Sequence, residues 1–79
     1  MIPLYGFLRG DTLGLLVLVR PEDTVEALGA LVQRSADVRV RPAAKARVFH
    51  DGEELNPQLT VKQANLQALD RIDVVAEEG

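Results

Sequence analysis

Cysteine and tryptophan are absent from this 79-residue chain, and histidine occurs once, as His50. Without cysteine there are no disulfides and no thiolate metal sites, which fits a reducing cytoplasm. A metal site would have to build on His50 with carboxylates such as Asp51 and Glu53, which read more simply as turn residues and solvated charges. Serine is equally scarce. Ser35 stands alone, so a nucleophile–base pair would have to join a helix end to His50 in a strand. Glu53–Glu54 and Glu77–Glu78 are sequence neighbours whose side chains point apart in a strand. No glycine-rich phosphate loop of either common type is present. The expectation is a chain with no catalytic, cofactor or metal residues of its own.

Other absences narrow the class further. The longest apolar run, Leu13 to Val19, is far shorter than the roughly 20 residues a membrane helix needs. The amino-terminal residues Met1-Ile2-Pro3-Leu4-Tyr5 carry neither the basic region nor the long apolar stretch of a secretory signal. A soluble, cytoplasmic protein is expected. Aromatic residues make up only 4% of the chain, and none interrupts the basic stretch Arg34, Arg39, Arg41, Lys45, Arg47. Together with a net charge of −3, this argues against nucleic acid as a partner. The charge is polarised, because seven acids (Asp51, Glu53, Glu54, Asp70, Asp73, Glu77, Glu78) follow that stretch with only Lys62 and Arg71 to balance them. Such polarity steers docking, with Arg39 and Arg41 as candidate rim residues, or leaves a solvated loop of arginines.

What the chain does have is hydrophobicity, at 47% of residues. The run Leu13–Val19 is bounded by Gly10-Asp11 and Pro21 and rich in branched side chains, so it reads as a strand. Leu15, Val17 and Val19 share one face of it, and Leu16 and Leu18 the other. One helix covers one face of a small sheet, so the second apolar face is expected to meet a partner. The 79 residues are read as one domain, 1–79, near the lower end of what folds alone. Chains this small lean on disulfides, a metal or a partner, and only the partner is supported here.

The elements follow in order. Leu4–Leu8 and Leu13–Arg20 form two strands around a turn at Arg9-Gly10-Asp11-Thr12. Asp23-Thr24-Val25-Glu26 starts a helix. Asp23 or Thr24 caps it, and Glu26 reaches back to an open amide and favours the first turn by charge. Val25, Leu28, Leu31 and Val32 make its apolar stripe, Gly29 marks close packing on the sheet, and the helix ends near Ser35-Ala36. A basic loop or short strand Val38–Val40 comes next. Arg47–His50 is a strand, Asp51-Gly52 a tight turn, Glu53–Leu55 a short return strand, Thr60–Leu66 one capped turn and Arg71–Ala76 the last strand. This order gives an α+β fold, a β-grasp with a mixed four- to five-stranded sheet over one helix.

Val48-Phe49-His50-Asp51-Gly52-Glu53-Glu54-Leu55, Leu59-Thr60-Val61-Lys62-Gln63-Ala64-Asn65-Leu66 and Ile72-Asp73-Val74-Val75 resemble the C-terminal half of ubiquitin, and Pro21–Glu26 resembles its helix start. A closer likeness is to the small ubiquitin-like B (γ) subunit of bacterial multicomponent toluene and aromatic monooxygenases. It is carried by Ile2-Pro3-Leu4-Tyr5-Gly6-Phe7, the apolar second strand, Arg39-Val40-Arg41-Pro42, Arg47-Val48 and the ending Ile72-Asp73-Val74-Val75-Ala76-Glu77-Glu78. That resemblance implies a non-catalytic accessory subunit in a hydroxylase whose large α subunit holds a carboxylate-bridged di-iron site, alongside a β subunit. If Val48, Leu55, Ile72 and Val74 face the helix, Phe49 and Val75 point outward beside Leu16 and Leu18, and these four are the expected interface centre. Two other readings stay open. Many ubiquitin-like proteins act as modifiers or sulfur carriers through a terminal Gly-Gly, and this chain ends in a lone Gly79. A free-standing β-grasp binding module is the third.

Overall fold

The computed structural model describes residues 1–9, 14–35 and 45–77, apart from the side chains of residues 45, 76 and 77. Its elements are β1 (Ile2–Leu8), β2 (Gly14–Val19), α1 (Val25–Ser35), β3 (Lys45–His50), β4 (Glu53–Glu54) and β5 (Arg71–Glu77). They build one five-stranded sheet in the order β2-β1-β5-β3-β4. β1 and β5 run parallel at its centre, and the other neighbours are antiparallel. The short strand expected at Val38–Val40 and most of the β1–β2 turn lie outside the described residues.

Alternation within the strands determines what faces the helix. Leu4 and Leu8 of β1, Val17 and Val19 of β2, Val48 of β3, and Ile72 and Val74 of β5 are buried, and they meet Val25, Leu28 and Val32 from α1. Leu15, Leu31 and Leu55 pack against this core from its margin. Each fully buried side chain of this size contributes about 1.5–3 kcal/mol. Gly29 lies where a Cβ would stand 3.0 Å from Val48 Cγ2, so the helix rests directly on β3.

The start of α1 settles which of Asp23 and Thr24 caps it. Thr24 is the cap, its Oγ1 accepting the Ala27 amide at 3.1 Å, while Asp23 Oδ2 accepts the Arg20 amide in the preceding turn. The open amides of Val25 and Glu26 donate to the carbonyls of Leu59 and Pro57. The segment from Asn56 to Asp70 thereby ties the helix start to the sheet. Within it Thr60 and Gln63 exchange reciprocal backbone-to-side-chain bonds at 2.9 and 3.1 Å, a capping box on a single turn. The Asp51-Gly52 turn has φ of 53° and 80°, the left-handed pair that a two-residue hairpin requires, and it sets His50 opposite Glu53.

Candidate partner-docking face

The face of the sheet away from α1 carries Pro3, Tyr5 and Phe7 of β1, Leu16 and Leu18 of β2, Arg47 and Phe49 of β3, and Arg71, Asp73 and Val75 of β5. Leu16 and Leu18 are 59% and 53% exposed there. Tyr5 lies opposite Leu16, and Pro3 opposite Leu18. Tyr5 is also exposed. These residues form an apolar patch at the β2 margin of the sheet.

The middle of the face is different in character. Phe7 and Phe49 flank Asp73 on the two neighbouring strands. The Phe7 ring leans across Gly14, where a Cβ would come within 2.6 Å of it. The Arg71 guanidinium sits 4.2 Å above the Phe7 ring centroid and donates to Asp73 Oδ1 at 3.1 Å. Arg47 lies 5.2 Å from the Phe49 centroid and grips Glu54 through Nη2 and Nε at 2.6 and 3.1 Å. Those hydrogen bonds hold the Glu54 carboxyl below the ordinary glutamate value; slight desolvation opposes them and the Arg47 charge adds to them. Phe49 and Val75 are half-buried. With Phe7, Arg9, Arg71 and Asp73 they line an open depression of about 440 Å³.

All four expected interface residues therefore share the outer face, but they fall into two groups. Phe49 and Val75 meet in the depression, and Leu16 and Leu18 meet at the margin. The expectation that the groups sit beside each other is corrected by the strand order. β1 lies between β2 and the strand of Val75, and β1 and β5 lie between β2 and the strand of Phe49, about 10 and 14 Å at the usual interstrand spacing. The Arg71–Asp73 pair and the Phe7 ring beneath Arg71 occupy that interval. Arg39, Arg41 and Gly79 lie outside the described residues.

Tyr5 and Phe7 were not among the expected face residues. The alternation Leu4, Gly6, Leu8 inward against Tyr5 and Phe7 outward is present in β1, though Pro3 and Gly6 weaken it as a pattern. Leu69, 57% exposed with φ of 69°, has no sequence signal, since leucine is not a residue that announces a left-handed backbone.

His50 Nε2 stands 3.5 Å from Asp70 and 3.9 Å from Asp51, an ion-pair geometry with no nucleophile in it. Among the described residues, no three His, Asp or Glu side chains are grouped to hold a metal ion. No helix among them is long and apolar enough to cross a membrane.

The fold is the ubiquitin-like β-grasp. Ubiquitin from Caldiarchaeum subterraneum superimposes with a TM-score of 0.80 at 18% identity, covering 99% of this chain and 95% of its own. A chain of the toluene 4-monooxygenase HD complex with the inhibitor 4-bromobenzoate superimposes with a TM-score of 0.86 at 26% identity, covering 96% of this chain and 98% of that one. No curated protein sequence matches the chain. The sequence model of TmoB, toluene-4-monooxygenase system protein B, matches residues 1–75. The chain belongs to that family.

Proposed function

We propose that the chain is the small, non-catalytic γ (B) subunit of a bacterial multicomponent di-iron hydroxylase that oxidises aromatic hydrocarbons. It docks on the large α and β subunits through the outer face of its sheet and works in the cytoplasm as a single domain over 1–79. The observation that carries this reading is the pairing of family and surface. A member of the toluene-4-monooxygenase system protein B family exposes Leu16 and Leu18 side by side, beside an exposed Tyr5. Apolar contact of this kind supplies affinity at a protein interface. The arginine–carboxylate pairs farther along the face supply orientation. In this reading the iron belongs to the α subunit, and this chain provides no ligand to it.

The test is an affinity purification of the tagged chain from its native host, with intact-mass and iron analysis of what co-elutes. Two large subunits with bound iron are expected. A covalent mass increase on the chain through Gly79, or capture of an adenylating enzyme in place of the large subunits, would overturn the reading in favour of a carrier.

A further inference from the structure

β2 is an edge strand, and the phase of its ladder decides which of its backbone groups are used. The Tyr5 amide donates to the Asp70 carbonyl at 2.9 Å, and the Leu69 amide donates to the Pro3 carbonyl at 2.6 Å. Pro3 and Tyr5 thus turn their backbone polar groups toward β5. Successive residues of a strand alternate in this respect. Ile2, Leu4 and Gly6 therefore turn theirs toward β2, opposite Val19, Val17 and Leu15. Leu16 and Leu18, out of phase with those three, aim both N–H and C=O away from β1. Among the described residues no strand lies on that side.

Natural edges are blunted by charge, proline, bulges or shortness. Gly14-Leu15-Leu16-Val17-Leu18-Val19 has no charge and no proline, and its register with β1 runs unbroken from Phe7–Gly14 to Ile2–Val19. A row of open donors and acceptors at strand spacing, beside apolar side chains from the same residues, is complementary to an extended main chain. A helix satisfies its own backbone and would leave this row unpaired.

We infer that β2 accepts a strand from the hydroxylase, which extends the five-stranded sheet by one. This inference rests on the subunit reading above. The partner that covers Leu16 and Leu18 lies against their backbone edge as well, because both features belong to the same two residues. The incoming strand sets apolar side chains at alternate positions beside Leu16 and Leu18 on the outer face. Its main chain pairs with the Leu16 and Leu18 amides and carbonyls.

Site-resolved hydrogen exchange on the full chain, alone and bound to the large subunits purified from the native host, tests this. Alone, the Leu16 and Leu18 amides exchange at least about tenfold faster than those of Val17 and Val19, because open amides lack a structural bond. In the complex they slow to the rates of their neighbours. A synthetic chain with N-methyl-leucine at position 16 keeps the side chain and replaces the outward N–H with a methyl group that cannot donate and blocks a paired strand. It binds the hydroxylase about fivefold or more weaker. A complex that forms while both amides stay fast overturns the strand addition and leaves the subunit reading standing. Slow amides in the isolated chain together with a dimeric mass would give the edge to a second copy. Failure of any complex to form overturns both readings.

Discussion

A Cβ built on Gly6 would stand 2.7 Å from Cγ2 of Val32, so β1 passes the helix closer than any side chain permits. Val32 is completely buried and has nowhere to retreat. Gly6→Ala is therefore expected to destabilise the fold by about 1–3 kcal/mol through overpacking. It should appear as a lower urea midpoint at unchanged slope. Gly29→Ala is the useful contrast. Its Cβ would meet Val48 at 3.0 Å, a milder crowding that the helix propensity of alanine, worth about 1 kcal/mol, largely offsets. Its midpoint should stay close to that of the parent chain.

The Arg47–Glu54 pair predicts a specific pH response. Glu54 titrates below the ordinary glutamate value because Arg47 hydrogen-bonds its carboxylate. A group whose pKa is depressed on folding stabilises the fold above its unfolded value, and that contribution is lost as pH falls through the folded value. Both side chains are open to solvent, so the contribution is small. Carboxyl carbon NMR of Glu54 should give a midpoint below that of an ordinary glutamate, and Arg47→Gln should move it back up.

How much of this was legible depends on how local each feature is. The two faces of Gly14–Val19, a helix cap at Asp23 or Thr24 and the Asp51-Gly52 hairpin follow from a few adjacent residues; the structure carries the faces and the hairpin and puts the cap on Thr24. Strand order is set by pairings between distant segments. Nothing in the alternation of β2 or β3 indicates that β1 and β5 come between them, so Leu16 and Leu18 were expected beside Phe49 and Val75. The same non-locality hid the carbonyls of Leu59 and Pro57, which take the first amides of the helix. It also hid the backbone phase of β2, which becomes readable only once Tyr5 is seen to donate to Asp70.

The separation of the outer face into two groups predicts two kinds of mutant. Leu16 projects into solvent from an edge strand. Leu16→Asp should change the stability of the isolated chain by no more than about 1 kcal/mol, the span of strand propensity. Phe49 is half-buried under Arg47, so Phe49→Asp removes packing and a cation–ring contact and should cost about 1–2 kcal/mol. Thermal melts of the two variants should rank them in that order. Equal stability would mean that the Arg47–Phe49 contact contributes little in solution.

Charge reversal at Arg39 and Arg41, in the basic stretch outside the described residues, addresses steering. With a docking rim there, Arg39→Glu and Arg41→Glu lower the association rate with the hydroxylase and weaken its salt dependence, with little change in dissociation. Stopped-flow mixing at two ionic strengths distinguishes this from a solvated loop, for which neither rate moves.

The central claim is that the margin formed by Leu16 and Leu18 seats this chain on the hydroxylase. The most direct measurement is co-purification of the large subunits from the native host by tagged wild-type chain and by tagged Leu16→Asp. Two-dimensional NMR of each free chain serves as the check on folding. The account predicts matching folds and loss of the large subunits with the variant, since burying an unpaired charge costs several kcal/mol. Recovery of the large subunits in equal amounts with a correctly folded Leu16→Asp chain would contradict it.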